Sequence, residues 1–144
     1  MQENVAEEKS LQERLMEAKN NIELGRLGEE LASRYLLAHN YEIINRNWRC
    51  DYGEADIIAK EDDGTVCFIE VKTRRGEAAG LPEEAITKEK RKKYEQIALN
   101  YMFKNKLDDM TPIRFDSIAV CVMEGVTRAL LRHNKSAFSG GFNR

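Results

Sequence analysis

Proline, cysteine and histidine are scarce in this chain: 144 residues contain two prolines, three cysteines, two histidines and one tryptophan. Cys50, Cys67 and Cys121 lie far apart, form no CxxC and have only His39 and His133 for company, which excludes a zinc site of ordinary spacing. A disulfide framework is not needed, because a chain of this length buries roughly two-thirds of its unfolded surface. The cysteines are expected as reduced thiols and the histidines as surface residues. No long hydrophobic run occurs. The longest, Ile118 to Met123, falls far short of the ~18 residues a membrane helix requires. The first residues, MQENVAEEKS, carry acids where a signal peptide has a basic start and an apolar stretch, so cytoplasmic residence is expected. A dominant charge sign is also missing: the net charge is −2, which by itself argues against a nucleic-acid binder.

What is present is a globular mixture, 42% hydrophobic and 33% charged, with its charges unevenly placed. Residues 1–30 hold eight acids against four bases, whereas residues 72–93 hold eight bases (Lys72, Arg74, Arg75, Lys88, Lys90, Arg91, Lys92, Lys93) against four acids. A local field, not total charge, attracts phosphate. Residues 1–20 read as an exposed polar helix or tail, 21–134 as one folded domain and 135–144 as a flexible tail. Leu24, Leu27, Leu31 and Tyr35 recur at helical spacing, with Gly28 on the stripe where close packing is possible and Asn40 as a left-handed stop. Strands are predicted at Tyr41–Trp48, Glu54–Lys60, Thr65–Lys72, Ile113–Val122 and Val126–Arg132. A second helical region is predicted from Glu83 to about Lys106. The order αβββαββ implies an α/β fold with a central mixed sheet and flanking helices.

The hairpin from Glu54 to Lys72 carries the chemistry. Asp62-Asp63-Gly64 suits a three-residue loop, which makes every cross-strand pair sum to 126. Asp56 then faces Glu70, and Glu54 faces Lys72. Ile57, Ala59, Cys67, Ile69 and Val71 form the opposite, apolar face. Two facing carboxylates with Cβ atoms ~5 Å apart repel by ~3 kcal/mol at an effective dielectric of about 20. Exposure to water, a shared proton or a bound cation would relieve that repulsion. A divalent ion is the sharpest remedy, because Mg²⁺ takes carboxylate oxygens, and Lys72 points to the same face. A solvent-facing charged hairpin remains the alternative on these residues alone.

Asp56 followed by Glu70-Val71-Lys72 resembles the D…(D/E)-x-K core of the PD-(D/E)xK nuclease superfamily. The wider set comprises Gly25-Arg26-Leu27-Gly28-Glu29, Asn47-Trp48-Arg49, Gly53 to Ile58, Phe68 to Arg74, Gly80-x-Pro82, Arg114-Phe115-Asp116 and Ala137-Phe138. It resembles the bacterial YraN-type family of uncharacterised proteins, similar in fold to archaeal Holliday-junction resolvases. The resemblance implies a restriction-endonuclease-like, resolvase-like fold and a Mg²⁺- or Mn²⁺-dependent DNA endonuclease acting on structured or branched DNA. An inactive nucleic-acid-binding module of the same fold is the alternative. The resemblance further implies metal ligation by Asp56 and Glu70, a catalytic Lys72, and Glu29 as an additional acid on the first helix. Arg74, Arg75 and the Lys88, Lys90, Arg91, Lys92 and Lys93 cluster would hold phosphates, and a homodimer would suit the cutting of two strands. Asp116 is expected to form an ion pair with Arg114. Ala55 stands where the superfamily name has proline. Gln96 and Tyr101 are one residue too far apart for the Gln-x-x-x-Tyr of RecB-like nucleases.

Overall fold

A computed structural model describes residues 10–76, 88–123 and 129–137. Its first element, α1 (Leu11–Glu17), opens on a reciprocal capping box: Ser10 Oγ accepts from the Glu13 amide and Glu13 accepts from the Ser10 amide. The leucines of α1 point inward, and Leu11 and Leu15 are buried. Residues 11–18 are therefore not the exposed helix or tail expected of this polar stretch. Their acids face solvent while two leucines and Ala18 enter the core. Arg75 anchors the far end of α1 by donating to the carbonyls of Leu15 (2.9 Å), Met16 (3.1 Å) and Ala18 (2.9 Å). These are carbonyls that a helix leaves without partners at its C-terminus.

The second helix, α2 (Asn21–Ala38), is capped by Asn20, whose side chain accepts from Glu23. It stops as the sequence predicts. Asn40 adopts φ 69°, the Asn40 amide bonds Leu37 and the Tyr41 amide bonds Leu36. This is the paired closure of a Schellman end. The period then changes to two through β1 (Glu42–Cys50), β2 (Gly53–Lys60) and β3 (Val66–Arg75). After α3 (Lys88–Lys104) come β4 (Ile113–Val122) and β5 (Ala129–Asn134). Spatial order follows chain order, β1-β2-β3-β4-β5, antiparallel except for the parallel β3–β4 pair. The mixed α/β sheet is as expected. The predicted start of the second helix, Glu83 to Thr87, lies outside the described residues, as do the Gly80–Pro82 loop, the Glu124-Gly125 turn and residues 138–144.

The sheet separates two apolar layers. Ile57, Ala59, Cys67 and Ile69 pack under α1 and α2 with Leu15, Leu24, Leu27 and Leu36. Ile58, Val66, Phe68 and Phe115 pack under α3 with Tyr94, Ile97 and Tyr101. Alternation along β2 and β3 assigns each residue to its layer, as the register predicts. Gly28 lets α2 settle on β3: a Cβ there would lie 1.8 Å from Thr73 Oγ1. No described helix is long and apolar enough to cross a membrane.

Candidate active site

The β2–β3 ladder follows the predicted register through Ile57↔Ile69, Ile58↔Phe68, Ala59↔Cys67 and Lys60↔Val66. Glu61 and Thr65 close it around Asp62-Asp63-Gly64, with Gly64 at φ 92°. The pairing then ends one residue short of the acids. Asp56 and Glu70 are not cross-strand partners, and Glu54 does not meet Lys72. Instead Asp56 Oδ2 accepts from the Val71 amide at 2.8 Å, so a side chain takes the bond that a strand would have made. Glu54 turns to Arg49 at 3.7 Å. The strands part because β2 gives up its backbone register to aim a carboxylate at β3.

This leaves Asp56 in a costly position. Burial pushes its carboxyl up, the Val71 amide draws it down, and the carboxylates of Glu29, Glu70 and Glu54 push it up again, to about 7. Glu70 is buried beside it. One oxygen meets Lys90 of α3 at 2.5 Å and lies 4.0 Å from Lys72, while Oε1 is buried without a hydrogen-bond partner. Glu29, from α2, accepts from Asn47 of β1 at 3.0 Å and lies near enough to act on Asp56. Tyr94 of α3 is buried among these groups: burial, then Asp56, Glu70, Glu54 and Glu29, hold its phenol well above the ordinary range. It stays a neutral phenol there. The fold thus gathers Glu29, Asp56, Glu70 and Lys72 and adds Lys90 and Tyr94. As the side chains stand, no three His, Cys, Asp or Glu groups among the described residues converge enough to hold an ion. Glu29 is engaged with Asn47 and Glu70 with Lys90.

Comparison with known proteins bears on these positions. Residues 28–120 match the model of the uncharacterised protein family UPF0102. The chain belongs to the UPF0102 family. A UPF0102 protein of Trichlorobacter lovleyi is 42% identical over 120 residues, covering 83% of this chain and 93% of the relative. One from Rhodococcus opacus is 41% identical over 119 residues (83% and 98%), and one from Clostridioides difficile 45% over 105 (73% and 90%). The UPF0102 match spans Glu29, Asp56, Glu70, Lys72 and the basic residues from Arg74 to Lys93, and leaves out α1 and β5.

Those basic residues do not act alike. Lys88, Lys92 and Lys93 are exposed on α3, whereas Lys90 is committed to Glu70. Arg75 is also a structural tie, donating three of its five N–H groups to the carbonyls of α1. One strand over, on β4, Asp116 forms the expected ion pair: Arg114 grips it through Nε (2.8 Å) and Nη2 (2.9 Å). His133 is not the surface residue predicted. Its ring is buried, with Nε2 2.9 Å from Asp116 and Nδ1 2.9 Å from the Tyr35 hydroxyl. The only signal available was the alternating pattern of β5, which puts Ala129, Leu131 and His133 on one face. Burial pushes the Asp116 carboxyl up, but His133, Arg114 and the Ser136 amide more than offset it and hold it below the ordinary value. Burial also raises the Cys67 thiol to about 12, which leaves it unreactive.

Proposed function

We propose that this UPF0102 protein is a divalent-metal-dependent endonuclease that hydrolyses phosphodiester bonds in structured or branched DNA, on a resolvase-like fold. The observation that carries the reading is the junction where β2 and β3 part. A half-buried Asp56, a Glu70 with an unpartnered buried oxygen, and Lys72 meet there. An all-carboxylate donor set fits a hard cation such as Mg²⁺ or Mn²⁺, which Asp56 and Glu70 would hold with Glu29 reaching in from α2. When bound, the ion polarises a phosphate and makes its water acidic. Asp56, whose carboxyl is raised to about 7, would have to release its proton to take the cation. Lys72 stabilises charge that develops on the phosphate oxygens. Arg74 and the exposed lysines of α3 grip flanking phosphates without reading bases. The D…ExK resemblance supports the same assignment.

The test is incubation with linear, nicked, flapped and four-way DNA in Mg²⁺ or Mn²⁺, with Lys72→Met alongside. The expected result is wild-type cleavage that falls by orders of magnitude in the variant while DNA binding persists. Equal activity in both would remove Lys72 from the chemistry. A second reading, an inactive nucleic-acid-binding module, is favoured by one contact: the Lys90 ammonium sits on Glu70 where a cation would bind. DNA binding without cleavage in any metal would select it.

A further inference from the structure

A cavity of about 560 Å³ shares Lys72 with the candidate site and is walled by the α1–α2 joint (Ala18 to Asn21, with Leu24) and the end of β3 (Lys72 to Arg75). Every charged residue lining it is basic: Lys19, Lys72, Arg74 and Arg75. Arg75 donates three N–H groups to the carbonyls of α1, and the lining holds no carboxylate to offset the charge of the four bases. The backbone adds to it from two directions. Beyond Ile57↔Ile69, β2 and β3 form no further pairs among the described residues, and the Val71 amide on that edge is taken by Asp56. Strand amides alternate, so the Thr73 amide faces the same edge, and Thr73 lines the cavity. From the other wall, the first turn of α2 presents its positive end, with the Asn20 cap taking only the Glu23 amide. The carboxylate of Glu23 is held by the Lys19 amide at 3.1 Å and does not line the space.

We infer that this cavity is a phosphate pocket for the nucleic-acid strand, taking a phosphate next to the one at Lys72. The inference rests on the proposed function. Its volume lies within the range of ordinary ligand pockets and suits one nucleotide unit. The pocket depends on the α1–α2 joint, so the segment preceding the family match becomes part of substrate binding.

The test uses the full-length chain in EDTA, where binding is read without cleavage, by anisotropy of labelled DNA across a salt series. Lys19→Gln and Asn21→Asp are compared with wild type, and thermal midpoints are measured beside them. Asn21→Asp is the sharper variant, because a carboxylate in the first turn suits the helix end yet repels phosphate. Each variant is expected to weaken binding several-fold and to lower the slope of log K against log salt by roughly 0.7–0.9. The Asn21→Asp midpoint should stay level or rise. Wild-type binding with both variants unchanged overturns the pocket and leaves the nuclease reading standing. A loss of binding matched by a lower midpoint in both variants overturns it as a folding effect. No wild-type binding to any DNA sinks the nuclease reading and the pocket together. Oligonucleotides with and without a 5′-phosphate identify the source. An advantage for the phosphorylated strand that Asn21→Asp removes assigns a terminal phosphate, and equal affinities assign a backbone one.

Discussion

Asp56 holds one carboxylate under two opposing demands. It must be partly buried to reach the Val71 amide, and that burial, with Glu29, Glu70 and Glu54 around it, penalises its charge. A carboxyl raised from 3.8 to about 7 keeps a proton that the unfolded chain has released. Its contribution to stability is therefore full below about pH 4 and is lost as pH climbs to about 7. Asp56→Asn removes that titration. The variant should be more stable than wild type at pH 8 by ~0.5–2 kcal/mol, a screened part of the pairwise repulsion. It should also lose the midpoint rise that Mn²⁺ gives wild type. Thermal melts with EDTA and with Mn²⁺ check both signs, and a destabilised Asp56→Asn with no ion effect on wild type would remove the site. Gly28 meets a steric demand instead. Gly28→Ala should cost about 1–3 kcal/mol, since Thr73 belongs to a paired strand and cannot retreat without moving β3. Denaturant melts of the variant read that cost directly.

The hairpin register was legible because a three-residue loop ending in glycine leaves one solution consistent with two segregated faces. Its end was not legible, because nothing in residue order says that Asp56 will spend its side chain on a backbone amide. The burial of α1 escaped for a related reason. Two leucines in a polar segment make too weak a stripe, and their anchor, Arg75, lies about sixty residues away in the chain. Contacts at that range leave no local periodicity. The same holds for α3, whose basic cluster is expected to hold phosphates: one of its lysines is tied to Glu70. Lys90→Met should destabilise the metal-free protein by about 1–3 kcal/mol by leaving a buried carboxylate unpaired, and added Mn²⁺ should restore much of the loss. Neutralising Lys88, Lys92 and Lys93 should leave stability unchanged. It should flatten the salt dependence of DNA binding by up to about 0.9 log unit per lost contact. An unchanged slope would place those lysines on an idle face.

Across the whole molecule, chemistry and structural support lie side by side along β3. The carboxylates gather where β2 leaves β3. On the β4 side, where Asp116 pairs with Ile69 and His133 with Ile118, Arg114, Asp116, His133, Tyr41 and Tyr35 lock α2, β4 and β5 together. Asp116→Ala would take the main acid from a half-buried guanidinium, which keeps Glu61 and Tyr41, and from the buried His133 ring, with an expected loss of about 3 kcal/mol. Because the Asp116 carboxyl is held low, the stability it gives is present above about pH 4 and disappears as pH falls through its folded value. Acid unfolding of wild type should therefore begin there, and Asp116→Asn should blunt that slope. Strand β3 links the two: it pairs with both neighbours, seats α2 at Thr73 and holds α1 through Arg75. Its amides do not share one fate, however. Ile69 belongs to the ladder, whereas two residues on, Val71 donates to a side chain that can rotate away. Deuterium should enter at Ile69 only when the whole sheet comes apart, and at Val71 whenever Asp56 lets go. One amide in the central strand would thus report the opening of the site while its neighbour reports the life of the fold.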